Sequence, residues 1–133
     1  MMRYSYDIST KDKEISYANL VDKYLLDLGF GINKNGTKYL RDLILTAYFN
    51  QEYTLDINYT IITFFEINKI KSINKNDFLK CIFYTINSIN IQKSKENFNN
   101  IFETQYDIYY FTPKNLTTLF MNLLAKTSIW SYD

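Results

Sequence analysis

The chain has no histidine, and among its 133 residues there is one cysteine, Cys81. An intramolecular disulfide is therefore excluded, and so is a zinc site built from cysteine and histidine. The commonest general acid–base side chain is also missing. Two acid pairs, Asp22 with Asp27 and Asp12 with Glu14, are expected to be solvating charge on exposed faces or in an N-terminal arm. Cys81 has no evident activating partner and reads as a buried, inert thiol. These absences point away from an enzyme, a bound metal or a cofactor. No apolar run approaches the ~20 residues of a membrane span. The opening MMRYSYDISTKDKE is too polar for a signal peptide. The expected location is the cytoplasm, with no membrane partner.

Proline and glycine are equally scarce. All three glycines fall in one stretch, GFGINKNGTK, Gly29 to Lys38. Gly31 and Gly36 have the spacing of a phosphate-binding loop. That loop continues Gly-Lys-Ser/Thr and follows a strand. Here Gly36-Thr37-Lys38 puts both groups one position out, and the preceding segment has a helical period. The dinucleotide fingerprint lacks its third glycine. The stretch reads as a corner between two helices, with Gly29 as a left-handed cap and Asn35-Gly36 as a turn.

What is abundant is aromatic: 13 Tyr and 10 Phe. Asn, Ile, Lys and Tyr share AT-rich codons, so abundance alone argues little. Periodicity argues more. Residues 1–15 read as a polar arm and 16–133 as one helical domain. Ser16 is a candidate N-cap, with Ile15 and Leu20 spaced as a hydrophobic staple. The first helix is then Tyr17–Leu28, and the second runs from about Thr37 to Tyr48. A loop covers Asn50–Thr54. DINYTIITFFEINKI predicts a helix over about 58–65 and a second short one over 66–70. Asn76 or Asn74 caps the next helix, Asp77 to about Ile89. NIQKSKEN reads as a polar connector and 98–102 as a short helix. TQYDIYYF alternates weakly, as an extended segment would; its tyrosines are expected to cover the core, with base stacking or a dimer seam as the functional reading. Thr112-Pro113 is a strong helix start. The expected fold is an all-α bundle of about six helices containing a helix–turn–helix.

LGFGINKNGTKYLRDLI resembles the start of the C-terminal DNA-binding effector domain of the stage-zero sporulation response regulator family. Gly36, Tyr39, Leu40, Arg41, Asp42 and Ile44 fit its loop–glycine–helix pattern. FFEINKIKSINKNDFLKCIFYTI lines up without a gap on the family's helix–turn–helix. FNNIF and TPKNLTTLFMNLLA match its later helices in order and length, so the similarity runs from roughly Ile15 to Ala125. The resemblance implies a transcription regulator of sporulation whose recognition helix enters the major groove of double-stranded DNA. It also implies paired copies on DNA, a homodimer, and contact with RNA polymerase. The family's receiver domain has no counterpart in this chain, so phosphorylation-driven dimerisation is not expected.

Charge places the same segment at the centre of interest. Residues 66–95 carry six lysines against Glu66 and Asp77, whereas the parts before and after are net −1 and −2. Where the family carries arginines, an acid and a histidine, this chain has Asn76, Asp77, Leu79, Lys80, Phe83 and Tyr84. No arginine can read guanine there. Two functional readings stand open. In the first, helix 76–89 reads an AT-rich site: Asn76 or Asn87 on adenine, Phe83 on thymine methyls, Tyr84 beside it, and Lys69, Lys71, Lys75 and Lys80 on phosphates. In the second, Leu79, Phe83 and Tyr84 form an apolar patch that binds another protein, as an adaptor or antagonist of a transcription or recombination complex. The bland reading packs this face against the arm or the last helix and leaves the lysines solvated.

Overall fold

A computed structural model describes residues 2–50 and 55–127. Among them the chain is all-α: α1 (Lys11–Asp27), α2 (Asn35–Phe49), α3 (Ile57–Asn68), α4 (Lys75–Asn87), α5 (Ile91–Phe102) and α6 (Pro113–Lys126). Short 3-10 turns cover Ile8–Thr10 and Ile108–Tyr110. The expected loop beyond Asn50, and the end of the expected domain at 128–133, lie outside the described residues.

Helix α2 is the central element and packs against α1, α3, α4 and α6. Its sequence explains this. Leu40, Leu43, Ile44, Leu45 and Ala47 are all buried, so the helix is apolar on nearly every side and must be surrounded. Phe64 and Phe78 close the core on the α3–α4 side; Phe98 and Phe120 do so on the α5–α6 side.

The glycine corner forms as the cap chemistry requires. Gly29 has φ +95, and Phe30 N–H donates to the Leu25 carbonyl at 3.0 Å, a left-handed helix ending. Its carbonyl also accepts from Asn90 N–H at 3.1 Å, joining the corner to the start of α5. Gly36 corrects the expectation of a turn. It lies inside the first turn of α2, buried flat against α4, where a Cβ would overlap Thr85 Oγ1 and the Cys81 carbonyl. Its lack of a side chain thus has a packing reason.

Other boundaries moved. Helix α1 begins at Lys11, and Ser16 lies within it rather than capping it. Asp12 and Glu14 occupy its first turn, where acids offset the helix dipole, so a polar run here is helical and not an arm. Glu14 is fully buried, against the expectation of solvating charge. Tyr4 and Ser5 are buried too, so the segment is anchored at residues 3–5, while Tyr6 to Ser9 stay exposed.

Helix α3 is continuous through Asn68; of its β-branched residues Thr60, Ile61 and Thr63 are buried and Ile62 is exposed. Helix α5 begins at Ile91, seven residues before the expected start, with Asn90 as its cap. The polar run concealed it: Ser94, Phe98 and Ile101 make the buried stripe, and Ser94 Oγ donates to the Leu28 carbonyl. TQYDIYYF is not extended. Asp107 accepts from Tyr109 N–H at 2.9 Å and turns the chain into a 3-10 helix. Tyr106, Tyr110 and Phe111 gather around Phe98 at 5.5 to 5.8 Å, while Tyr109 stays exposed. Thr112 caps α6 as its sequence predicts, accepting from Asn115 N–H at 3.1 Å.

Candidate nucleic-acid interface

The helix pair α3–α4 is joined by residues 69–74. Helix α3 ends with Lys69 in the left-handed conformation (φ 53), and Ile70 N–H reaches back to the Phe65 carbonyl at 2.9 Å. This is the ending that glycine normally supplies; here a lysine adopts it at some conformational cost. Asn74 then caps α4, accepting from Asp77 N–H at 2.8 Å and donating to the Asp77 carboxylate at 3.0 Å. Asn74 is thus the cap and Asn76 a surface residue. Asp77 is engaged in the cap and complements the dipole of α4.

Successive residues of a helix turn by about 100°, so Asn76, Lys80, Phe83, Tyr84 and Asn87 fall within an arc of about 100°. All five are exposed. The stripe runs about 16 Å, the rise of eleven residues. Phe83 is 45% and Tyr84 69% exposed, so neither ring is covered by the rest of the described chain. Lys69 and Lys71 are exposed in the turn beside the stripe's beginning. They edge an apolar depression of about 410 Å³ formed with Ile62, Phe65, Glu66 and Ile70.

Two expected site residues are placed differently. Leu79 is half-buried and packed on the core, so it does not belong to an open apolar patch. Lys75 is half-buried at the flank of the stripe. Cys81 is half-buried rather than buried.

The residues that carried the family resemblance have structural work here. Tyr39 stacks on Phe78 of α4 at 4.5 Å, and burial raises its pKa above the ordinary tyrosine value. Arg41 bridges Asp22 of α1 at 3.2 Å and Asp42 at 3.1 Å. Although burial opposes its charge, these carboxylates keep the guanidinium protonated. Gly36 and Tyr39 thus hold α4 against α2, and Arg41 ties α2 to α1.

One cation escaped the sequence reading. Lys34, in the glycine corner, donates from Nζ to Ser88 Oγ at 2.9 Å, at the C-terminal end of α4. Nothing in its neighbourhood marks it; only the fold brings it to that helix. No family model matches the chain, and no curated protein or solved structure shows a match. Among the described residues no group of metal-ligating side chains forms and no helix is long and apolar enough to cross a membrane.

Proposed function

We propose that this chain is a DNA-binding transcriptional regulator that lays α4 in the major groove of an AT-rich duplex. The observation that carries the reading is the exposed stripe of Asn76, Lys80, Phe83, Tyr84 and Asn87, flanked by lysines at its start. Its length of about 16 Å matches roughly five base pairs at 3.4 Å each. Asparagine amides match the donor and acceptor pair of adenine, and the Phe83 ring matches thymine methyl groups. Lys69, Lys71, Lys75 and Lys80 hold phosphates. Following the family resemblance, the setting is sporulation, with two copies paired on the site and RNA polymerase as a protein partner.

A second reading is favoured by one observation, the exposure of Phe83 and Tyr84. Rings at a solvent-facing helix centre are what protein interfaces use as anchors. In that reading α4 binds a protein.

Fluorescence anisotropy on labelled AT-rich duplexes separates the two. Four phosphate contacts give a log–log salt slope of about −3.6, a loss of roughly 150-fold between 50 and 200 mM salt. Lys80→Ala reduces the slope to about −2.7. Absence of binding at ~50 mM salt rejects the DNA reading. Capture of a protein partner that Phe83→Ala abolishes, with the fold intact, establishes the second.

A further inference from the structure

Away from α4, Glu14 is a buried carboxylate that accepts four hydrogen bonds. Its side chain is wholly removed from solvent, and every donor it has comes from residues 3–10. Arg3 reaches it through Nε at 3.3 Å and Nη2 at 2.8 Å; Tyr4 N–H does so at 2.6 Å, and the Thr10 hydroxyl completes the set. The next residue is anchored as firmly. Tyr4 donates its hydroxyl to Asp42 Oδ1 at 2.8 Å, and its ring stacks on Phe64 at 6.0 Å with planes 12° apart.

The same short segment reaches the end of α3. Arg3 N–H donates to Asn68 Oδ1 at 2.8 Å, and Asn68 Nδ2 returns a bond to the Arg3 carbonyl at 2.7 Å. Asn50 Nδ2 donates to the Tyr4 carbonyl at 2.9 Å. Asn68 is the last residue of α3, immediately before the left-handed Lys69 that sends the chain toward α4. Phe64 in turn packs on Phe78 of α4 at 5.9 Å. Two residues therefore connect α1, α2 and the end of α3, with a path through two rings into α4.

We propose that residues 2–10 form a conformational strap: while Arg3 neutralises Glu14, the strap fixes α3 and the pitch of α4, and breaking that ion pair frees the strap and loosens α3–α4 together. The cooperativity follows from burial. Among the described residues Glu14 has no other cation as a partner, so losing Arg3 strands a buried carboxylate. Movement of the segment that admits water relieves this, and it also withdraws Tyr4 from Asp42 and from Phe64. Helix α6 has no bond to the strap and is unaffected. The bearing on DNA rests on the reading of α4 as the DNA-binding face; the strap itself does not.

The test is amide hydrogen exchange on the full chain. Arg3→Met removes the charge and keeps an unbranched stem as far as the position of Nε. Expected is an increase of about tenfold or more in exchange at residues 3–10 and 64–71, with 116–124 unchanged. Arg3→Met/Glu14→Leu returns the rates toward wild type, because no charge is left buried. Affinity for the AT-rich duplex falls in the single variant and recovers in the double. A rise spread equally over α6, or fraying of residues 3–10 with 64–71 unchanged, overturns the proposal. Should Arg3→Met not fold, Asn68→Ala removes the tie to α3 while Glu14 stays paired: exchange should then rise at 64–71 with 3–10 and 116–124 unchanged, and no rise at 64–71 overturns the proposal. If the wild-type chain binds no DNA, exchange still decides the strap, so the two failures are distinguishable.

Discussion

Replacing Gly36 by alanine is expected to destabilise the fold, although alanine is the better helix former. The position is buried where the start of α2 meets α4. A Cβ there would lie 2.7 Å from Thr85 Cβ and overlap both Thr85 Oγ1 and the Cys81 carbonyl. Carbon atoms prefer about 3.5–4.0 Å, so the two helices must part locally by about 1 Å. Thr85 is buried and β-branched, which leaves it few rotamers to escape into. The Cys81 carbonyl belongs to the backbone of α4 and moves only with the helix. Overpacking of this kind costs about 1–3 kcal/mol. The intrinsic gain from glycine to alanine is at most ~1 kcal/mol in a helix interior and smaller in the first turn. The balance is a loss of about 2 kcal/mol, which at this chain size lowers Tm by roughly 5–10 °C. Thermal unfolding by circular dichroism measures it. Gly36→Ala/Thr85→Ala should recover part of the loss relative to Thr85→Ala alone, since the hydroxyl overlap disappears and the carbonyl overlap remains. A Tm that rises in Gly36→Ala refutes the close-packing argument.

Three more outcomes follow from particular residues. Lys69→Gly and Glu103→Gly both relieve left-handed backbone and should each stabilise the chain by about 1 kcal/mol in urea unfolding; only Lys69→Gly should also lower DNA affinity. Tyrosine absorbance near 295 nm should show late ionisation. Burial pushes the Tyr17 phenol up to about 12 and raises that of Tyr4 as well. Unfolded tyrosine ionises near 10. The neutral form is thus favoured by folding, and stability is full below pH ~10 and lost as pH rises toward ~12; Tyr17→Phe should flatten that decline. Asn74→Ala removes the cap of α4 and should cost about 1 kcal/mol, read by chemical denaturation.

Local chemistry was the legible part of this sequence. Gly29 and Thr112-Pro113 announce helix ends because the atoms that satisfy those ends lie within a few residues. The outward face of α4 was legible for the same reason: helical geometry alone fixes which of its residues oppose Phe78 and Ile82. Leu79 sits at the edge of that arc, where geometry does not decide, and neighbouring helices claimed it for the core. What stayed hidden were polar residues used internally. Ser94 lies in a buried stripe that a hydrophobic count cannot see, so α5 read as a connector. Glu14 read as solvated charge, and Arg3 only as part of a polar arm, because their partnership depends on the fold. The same holds for Lys34, more than fifty positions before Ser88, to which it bonds.

The tie between Arg3 and Asn68 also has a temporal side. During synthesis, residues 3 and 4 leave the ribosome long before their partner. At 5–20 residues per second, the 65 positions between them take roughly 3–13 s. Helical segments form within microseconds, so α1 can be complete while Tyr4 has no ring to rest on and Glu14 no reason to be dry. For that interval the nascent chain presents an aromatic side chain and a carboxylate that the finished protein conceals.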